Sequence, residues 1–178
     1  MIKLLPTNYT FDKKTTLCFT GHRSQKLPWG FNENDPRRQK VKVALTKEIE
    51  KSICQGYVNF LCGMALGFDL MCAEVILELK NKYPQIKLIA AVPCKNQQSK
   101  WPLDAQKRYV AIAKQVDAAR CKYDSYTGSE CMLERNSYMI NNSSKIIALY
   151  NGQPGGTQST LHKAKQSGLE IIIISPNQ

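Results

Sequence analysis

The sequence predicts a three-layer α/β fold, in which a mostly parallel sheet of about six strands carries helices on both faces. Short apolar runs of strand length alternate with longer segments in which apolar residues recur every three or four positions. This alternation continues without a break from Thr15 to Ser175. Strands that alternate with helices form parallel sheets, and the near-continuous apolar character of the runs indicates strands that are covered on both faces.

The elements follow one another at regular intervals. Asp35 is a plausible N-cap, Pro36 fits the first helical position, and Gly56 ends that helix. We expect a single domain over residues 1–178, with 1–14 as a loose N-terminal lead-in. The predicted strands are 15–20, 57–62, 87–92, 118–122, 145–150 and 170–175, and the predicted helices are about 36–55, 70–82, 103–117, 129–142 and 157–166.

Length and composition restrict the class of protein. A chain of 178 residues suits one domain that buries roughly 70% of its unfolded surface. We expect a cytoplasmic protein, because the first residues are too polar for a signal peptide and no apolar run reaches the roughly 20 residues needed to cross a bilayer. The seven cysteines are odd in number, and no two have the two-residue gap of a zinc or redox pair, which favours reduced thiols.

The net charge of +11 indicates an anionic partner. A positive field attracts both nucleic acid and anionic metabolites. The basic residues are spread along the chain, and Lys13-Lys14 and Arg37-Arg38 are the adjacent pairs. Lysines on solvated helix faces are therefore the alternative explanation. The sequence does not fix whether the chain forms homo-oligomers.

The segment Thr20-Gly21-His22-Arg23 ends the first predicted strand. Glycine lets the backbone turn or approach a ligand without a Cβ, and ligands of open α/β sheets bind at the carboxyl ends of strands. We therefore expect a site for a phosphate-bearing small molecule, with Arg23 holding the charge. The alternative is a strand end with two solvated polar residues.

Glycine-bearing turns follow four of the predicted strands. In the common strand order 3-2-1-4-5-6, strands 2, 1, 4 and 5 are neighbours, and their carboxyl ends border one crevice. A different order would scatter these turns. The turns contain Gly21, Gly63 with Gly67, Gly128, and the series from Gly152 to Gly156.

Gly155-Gly156-Thr157 opens a helix directly after a strand. Backbone N–H groups and the positive end of the helix suit a phosphate there, although a plain turn would use the same residues. Asp69 begins the second helix, where it either complements the helix dipole or accepts hydrogen bonds from ribose hydroxyls. Arg135 and Asn136 lie early in another helix, and a second guanidinium would suit a diphosphate.

Other candidate residues have two explanations each. Trp101 either stacks on a base or packs over the end of the third strand. Glu74 and Glu134 are the nearest carboxylates for acid–base chemistry, and neither has a nucleophile at a recognisable spacing. His22 and His162 have no cluster of further ligand residues beside them, so we expect no metal site.

Five motifs follow one another along the chain: TGHR, GMALGFDLMCAE, P-x-x-x-Q-x-x-x-W, ERNSYMI and YNGQPGGT-x-x-T. Taken in order, they resemble the DUF1273/YpsA-like family of the SLOG superfamily, which also contains the LOG phosphoribohydrolases and the DNA-processing protein DprA. The resemblance covers nearly the whole chain from Thr16 to Ser175. It implies a modified Rossmann fold with a pocket for an NAD-like or ADP-ribose-like molecule.

Carried over by motif, the resemblance implies that eleven residues line this pocket. One departure concerns chemistry, because LOG enzymes continue their Gly-Gly-Thr motif to a catalytic glutamate, whereas Gln158, Ser159 and Thr160 follow here. The absence of that carboxylate argues against a hydrolase and leaves no catalytic residue identified. The implied pocket residues are Gly21, His22, Arg23, Gly63, Gly67, Asp69, Arg135, Asn136, Gly155, Gly156 and Thr157.

The function that we expect is binding or sensing of a nucleotide-derived small molecule, with no required cofactor and no membrane partner. A nucleotide N-glycosidic-bond hydrolase is the first alternative, and it would need Asp69 or Glu74 to stabilise an oxocarbenium ion. A nucleic-acid-binding protein similar to DprA is the second alternative, and it would account for the positive charge.

Overall fold

Seven strands form one sheet in which every neighbouring pair runs parallel. The computed structural model describes residues 3–177. The α/β class and the helices on both faces are confirmed. The strands are β1 (Lys3–Leu4), β2 (Thr16–Gly21), β3 (Asn59–Cys62), β4 (Lys87–Cys94), β5 (Ala118–Tyr123), β6 (Lys145–Leu149) and β7 (Glu170–Ile174).

Five α-helices connect these strands and cover the two faces unequally. Helices α1, α2 and α3 pack on one apolar core, and α4 and α5 pack on a second core across the sheet. As expected, Asp35 caps the first helix, where its carboxylate accepts a 2.9 Å hydrogen bond from the Arg37 N–H. The helices are α1 (Pro36–Cys54), α2 (Phe68–Leu79), α3 (Leu103–Ala113), α4 (Ser129–Asn141) and α5 (Gly156–Gln166).

The strand order corrects one expectation. The order is β1-β5-β4-β3-β2-β6-β7, so the strand predicted at 118–122 does not lie beside the strand predicted at 15–20. It pairs with β4 instead, with Ile89 opposite Ala118. The burial of the two strands agrees with their positions: every residue of β6 is buried, which suits the centre of the sheet, whereas β5 has only two buried residues and lies next to the edge strand β1.

This order moves the switch point of the sheet. From β2 to β5 each new strand is added on the same side, and the direction reverses once, when β6 is added on the other side of β2. Open α/β sheets bind ligands where the direction reverses, outside the carboxyl ends of the two strands concerned. The expected crevice therefore lies at the ends of β2 and β6 rather than beside β5.

The N-terminal lead-in is more ordered than expected. Lys3 and Leu4 form an additional edge strand beside β5, and the following N–H of Leu5 donates to the carbonyl of Ala119 at 2.8 Å. The Tyr138 hydroxyl of α4 donates to the carbonyl of Tyr9 at 2.9 Å. A two-residue strand has too few residues to show a periodic pattern, which explains why the sequence predicted about six strands rather than seven.

Over residues 3–177, no helix combines the length and the apolar character needed to cross a membrane.

Candidate functional site

A cavity of about 520 Å³ opens at the carboxyl ends of β2 and β6. Its walls come from the segment that follows β2, the start of α2, one side of α4 and the first two turns of α5. It therefore lies at the switch point of the sheet, where the topology alone would place a ligand.

Eight of the eleven residues implied by the motifs line this one cavity, although they come from four separate segments. The other three, Gly63, Gly67 and Gly155, lie directly behind the lining. Of the four turns expected to converge, the one at Gly128 contributes its neighbours Tyr126 and Ser129 instead. The eight lining residues are Gly21, His22, Arg23, Asp69, Arg135, Asn136, Gly156 and Thr157.

Two of the glycines allow the start of α2 to approach the end of β2. A Cβ on Gly21 would lie 2.5 Å from Cδ1 of Phe68, the first residue of α2. Gly67 has a φ of 109°, and a Cβ there would lie 2.8 Å from the carbonyl oxygen of His22. Both positions therefore exclude larger residues for reasons of packing and backbone conformation.

His22 is a positioning residue. Its ring is 4% exposed, and Nε2 lies 2.7 Å from Oδ1 of Asn151, in the loop that leads to α5. The backbone N of Asn151 also lies 3.4 Å from the same Nε2 atom. The bond connects the end of β2 to the β6–α5 loop and thereby fixes two walls of the cavity relative to each other.

Arg23, Lys26 and Lys163 supply unpaired positive charge to the cavity. All three side chains are exposed, and none forms an ion pair among residues 3–177. Lys26 lies beside the start of α5, because a Cβ on Gly155 would be 3.2 Å from its Nζ. Neither lysine was predicted from the sequence, since each is an isolated lysine in a polar segment without a motif.

The N-terminus of α5 is uncapped. Gly155 occupies the N-cap position with a φ of 148° and offers no side chain to the first N–H groups. Helices α1 to α4 each carry an aspartate or glutamate at the N-cap or in the first turn, and α5 has none. Free N–H groups and the positive end of the helix dipole together favour an anion at this position.

A chain of hydrogen bonds fixes Arg135 beneath the cavity. Its Nη1 donates to the carbonyl of Gly63 at 2.5 Å, and its Nε donates to Oδ1 of Asn136 at 2.8 Å. The amide of Asn136 in turn donates to the hydroxyl of Thr160 at 3.1 Å. The chain links the end of β3 to α4 and α5, and it leaves Arg135 buried rather than exposed like Arg23.

Asp69 is the only carboxylate that lines the cavity among residues 3–177. Its Oδ2 accepts a hydrogen bond from the N–H of Ala65 at 3.2 Å and lies 3.9 Å from Nη1 of Arg135. Burial raises the pKa of Asp69, and the nearby guanidinium opposes this increase. Burial also lowers the pKa of Arg135. The pair is therefore a polar group shielded from solvent at the base of the site.

The remaining candidates lie outside the cavity. Trp101 packs edge-on against Tyr109, with ring centroids 5.6 Å apart, so the packing explanation is the one observed. Gln97 donates to the carbonyl of Met64 at 2.9 Å and supports the loop before α2. Glu74 pairs with Arg108, and Glu134 pairs with Arg120, so neither carboxylate is available to a ligand in the cavity.

Comparisons with known proteins agree with the motifs. The sequence model of the YspA SLOG family (YpsA) matches residues 17–177. A UPF0398 protein of Brevibacillus brevis is 30% identical over 83% of this chain and 78% of its own length. The uncharacterized SPbeta prophage-derived protein YoqJ of Bacillus subtilis is 33% identical over 76% of this chain and 86% of its own length.

Two solved structures of DNA processing protein A share the fold. The protein from Helicobacter pylori, described with its single-stranded DNA binding mode, aligns with a TM-score of 0.62 at 21% identity over 90% of this chain. The protein from Streptococcus pneumoniae aligns with a TM-score of 0.57 at 14% identity over 92% of this chain. The aligned region spans 65% and 50% of those two longer chains.

Proposed function

Because the chain belongs to the YspA SLOG family, we propose that its cavity binds a phosphorylated small molecule derived from a nucleotide. The observation that carries this proposal is that three unpaired cations, Arg23, Lys26 and Lys163, line the same cavity as the uncapped start of α5. Together these groups form an anion-binding site at the switch point of an α/β sheet.

Charge supports the choice of an anion. Four cationic side chains line the cavity against the single carboxylate of Asp69. That carboxylate lies 3.9 Å from Arg135, and the charge of Arg23 also acts to lower its pKa, so one negative charge faces four positive ones. A cavity lined by charges of one sign concentrates their electric field, which raises the local concentration of an oppositely charged ligand.

The polar groups around the cations suit the sugar of a nucleotide. Thr157 provides a hydroxyl on α5, and Asn136 provides an amide on α4, of which one N–H bonds to Thr160. Such groups donate and accept hydrogen bonds, which a ribose requires and an isolated phosphate does not. The site is therefore suited to a phosphate with an attached sugar.

Calorimetric titration with pyrophosphate, AMP, NAD and ADP-ribose tests the proposal. We expect Arg23→Ala to weaken binding of a phosphorylated ligand by about 1.5–3 kcal/mol, the range for a charge-assisted hydrogen bond. Lys163→Ala should weaken binding in the same direction. Lys165→Ala is the matched control, because Lys165 is exposed on the same helix but does not line the cavity. Absence of binding by all four compounds at millimolar concentration would refute the proposal.

Hydrolysis of an N-glycosidic bond is a second candidate, and Asp69 is the observation in its favour. A buried carboxylate with a raised pKa inside a cavity is typical of a catalytic acid. Chromatography of AMP or NAD incubated with the protein would detect a released base. Release that is lost in Asp69→Asn, while ligand still binds, would favour the hydrolase, and no release would leave binding as the function.

Single-stranded nucleic acid is a further candidate, because the net charge is +11 and the neighbour from Helicobacter pylori is described as binding single-stranded DNA. Fluorescence anisotropy with a labelled oligonucleotide at low and high salt distinguishes it from the leading proposal. A DNA-binding function predicts an affinity that falls steeply with salt and weakens in Arg23→Ala. No binding at low salt would exclude it.

A further inference from the structure

One part of the cavity wall, formed by α4 and the loop before it, is apolar. It consists of Tyr126, in the loop before α4, and of Met132, Leu133 and Met139 on α4 itself. Tyr126 is 57% exposed and Leu133 is 48% exposed. Covering such side chains removes apolar surface from water, which is favourable. Here they border a cavity whose other end is cationic.

Topology separates the two ends. Tyr126 follows β5, which lies three strand positions from β2, whereas α5 follows β6 on the other side of β2. At about 4.8 Å per strand, the end of β5, from which the loop to Tyr126 leaves, lies roughly 14 Å from the end of β2. The cavity therefore extends across the carboxyl ends of the strands, from an apolar end near the loop after β5 to a cationic end near α5.

The backbone at Tyr126 is held in place. Its N–H donates to Oδ1 of Asn96, in the loop after β4, at 3.1 Å. The aromatic ring makes no ring–ring contact within residues 3–177. An aromatic ring on a fixed backbone, with an open face at a cavity, offers a surface on which a planar group can stack at low cost in conformational entropy.

We propose that Tyr126 stacks on the base of the ligand, with Leu133 and Met132 beside it, while the phosphate binds between Arg23, Lys26 and α5. This inference rests on the proposed function and extends it, since it specifies a ligand with a planar aromatic ring at one end and a phosphate at the other. Inorganic phosphate or a sugar phosphate would fill only the cationic end.

Titration of truncated ligands tests this arrangement. Pyrophosphate carries only the charged end, adenosine carries only the base and its sugar, and ADP-ribose carries both. We expect Tyr126→Ala to weaken the binding of ADP-ribose by roughly 5- to 150-fold, the equivalent of about 1–3 kcal/mol for stacking on one aromatic ring. Pyrophosphate should bind the variant within twofold of its affinity for the wild type.

Tyr126→Phe is the control, because it keeps the ring and removes the hydroxyl, and it should bind ADP-ribose like the wild type. Equal losses for pyrophosphate and ADP-ribose in Tyr126→Ala, or no loss for either, would overturn the inference while the proposed function stands. If adenosine binds in a Tyr126-dependent manner and pyrophosphate does not bind, the stacking site stands and the proposed phosphate site fails. If neither pyrophosphate, adenosine nor ADP-ribose binds the wild type, both the stacking site and the proposed phosphate site fail.

Discussion

Three glycines behind the cavity determine how closely its walls approach each other. The guanidinium of Arg135 occupies the space that a side chain at Gly63 would fill. Gly67 lies against the backbone of residues 22–24, and Gly155 lies beside Nζ of Lys26. These glycines affect the packing of the cavity walls without contacting a ligand themselves. The family motif therefore combines residues that face the cavity with residues that allow those side chains to be placed there.

Gly63→Ala is expected to destabilise the protein by about 1–3 kcal/mol, the usual cost of overpacking. A Cβ at this position would overlap Nη1 of Arg135 and lie 2.7 Å from Oδ2 of Asp69, and both side chains are buried. Urea unfolding measures the loss. Gly156→Ala is the comparison, because a Cβ there meets nothing within 4 Å and should change stability by less than about 0.5 kcal/mol. Equal stabilities for the two variants would contradict the packing role of Gly63.

Helix α4 connects the cavity with the N-terminal segment. It carries Arg135 and Asn136 on the cavity side, while Tyr138 bonds to the chain before β2 and Glu134 pairs with Arg120. The buried guanidinium of Arg120 joins them, because it donates both to the carboxylate of Glu134 and to the carbonyl of Thr7. The position of α4, and with it that of Arg135, thus depends on residues that lie far from the site in sequence.

The ion pair between Glu134 and Arg120 predicts a pH dependence of stability. Hydrogen bonds from Arg120 lower the pKa of Glu134 below its ordinary value of 4.5. A carboxylate with a lowered pKa in the folded state stabilises the protein above its unfolded pKa and loses that contribution as the pH falls through the folded pKa. We therefore expect the wild type to be more stable than Glu134→Gln at pH 7, with a difference that shrinks below about pH 4.5.

Urea unfolding of both proteins between pH 3 and pH 7 provides the measurement. Glu48→Gln is the control, because Glu48 lies in the middle of α1, away from the helix ends, and its carboxylate forms no ion pair among residues 3–177, so it should match the wild type at pH 7. A difference between wild type and Glu134→Gln that stays constant down to pH 3 would argue against the ion pair as its cause.

The elements were predictable from the sequence because their signals are local. The capping of α1 by Asp35 and the buried run of β2 depend on neighbouring residues alone. The strand order was missed because it depends on which strands pair with β2, a long-range property, although the more apolar composition of β6 compared with β5 already favoured β6 at the centre of the sheet. Lys26 and Lys163 were missed for a related reason, because only the fold brings them to the same cavity.

The sheet presents two different edges to solvent. On one side it ends with β1, a strand of only two residues. On the other side it ends with β7, which carries four consecutive isoleucines and, within residues 3–177, pairs with nothing on its outer side. Short edge strands limit pairing with other chains, whereas an apolar edge strand without lysine or proline is a site of aggregation.

We expect Ile173→Lys to reduce aggregation on heating with little effect on stability. Ile173 is 56% exposed in the edge strand, so a lysine there places its charge in solvent and disfavours pairing of β7 with a second chain. Light scattering during a thermal ramp should rise later and less steeply than in the wild type, while the midpoint of urea unfolding stays within the range of surface substitutions. Val43→Lys is the matched control, because Val43 is 55% exposed on a helix. If both variants reduce scattering equally, the added charge rather than the β7 edge is responsible.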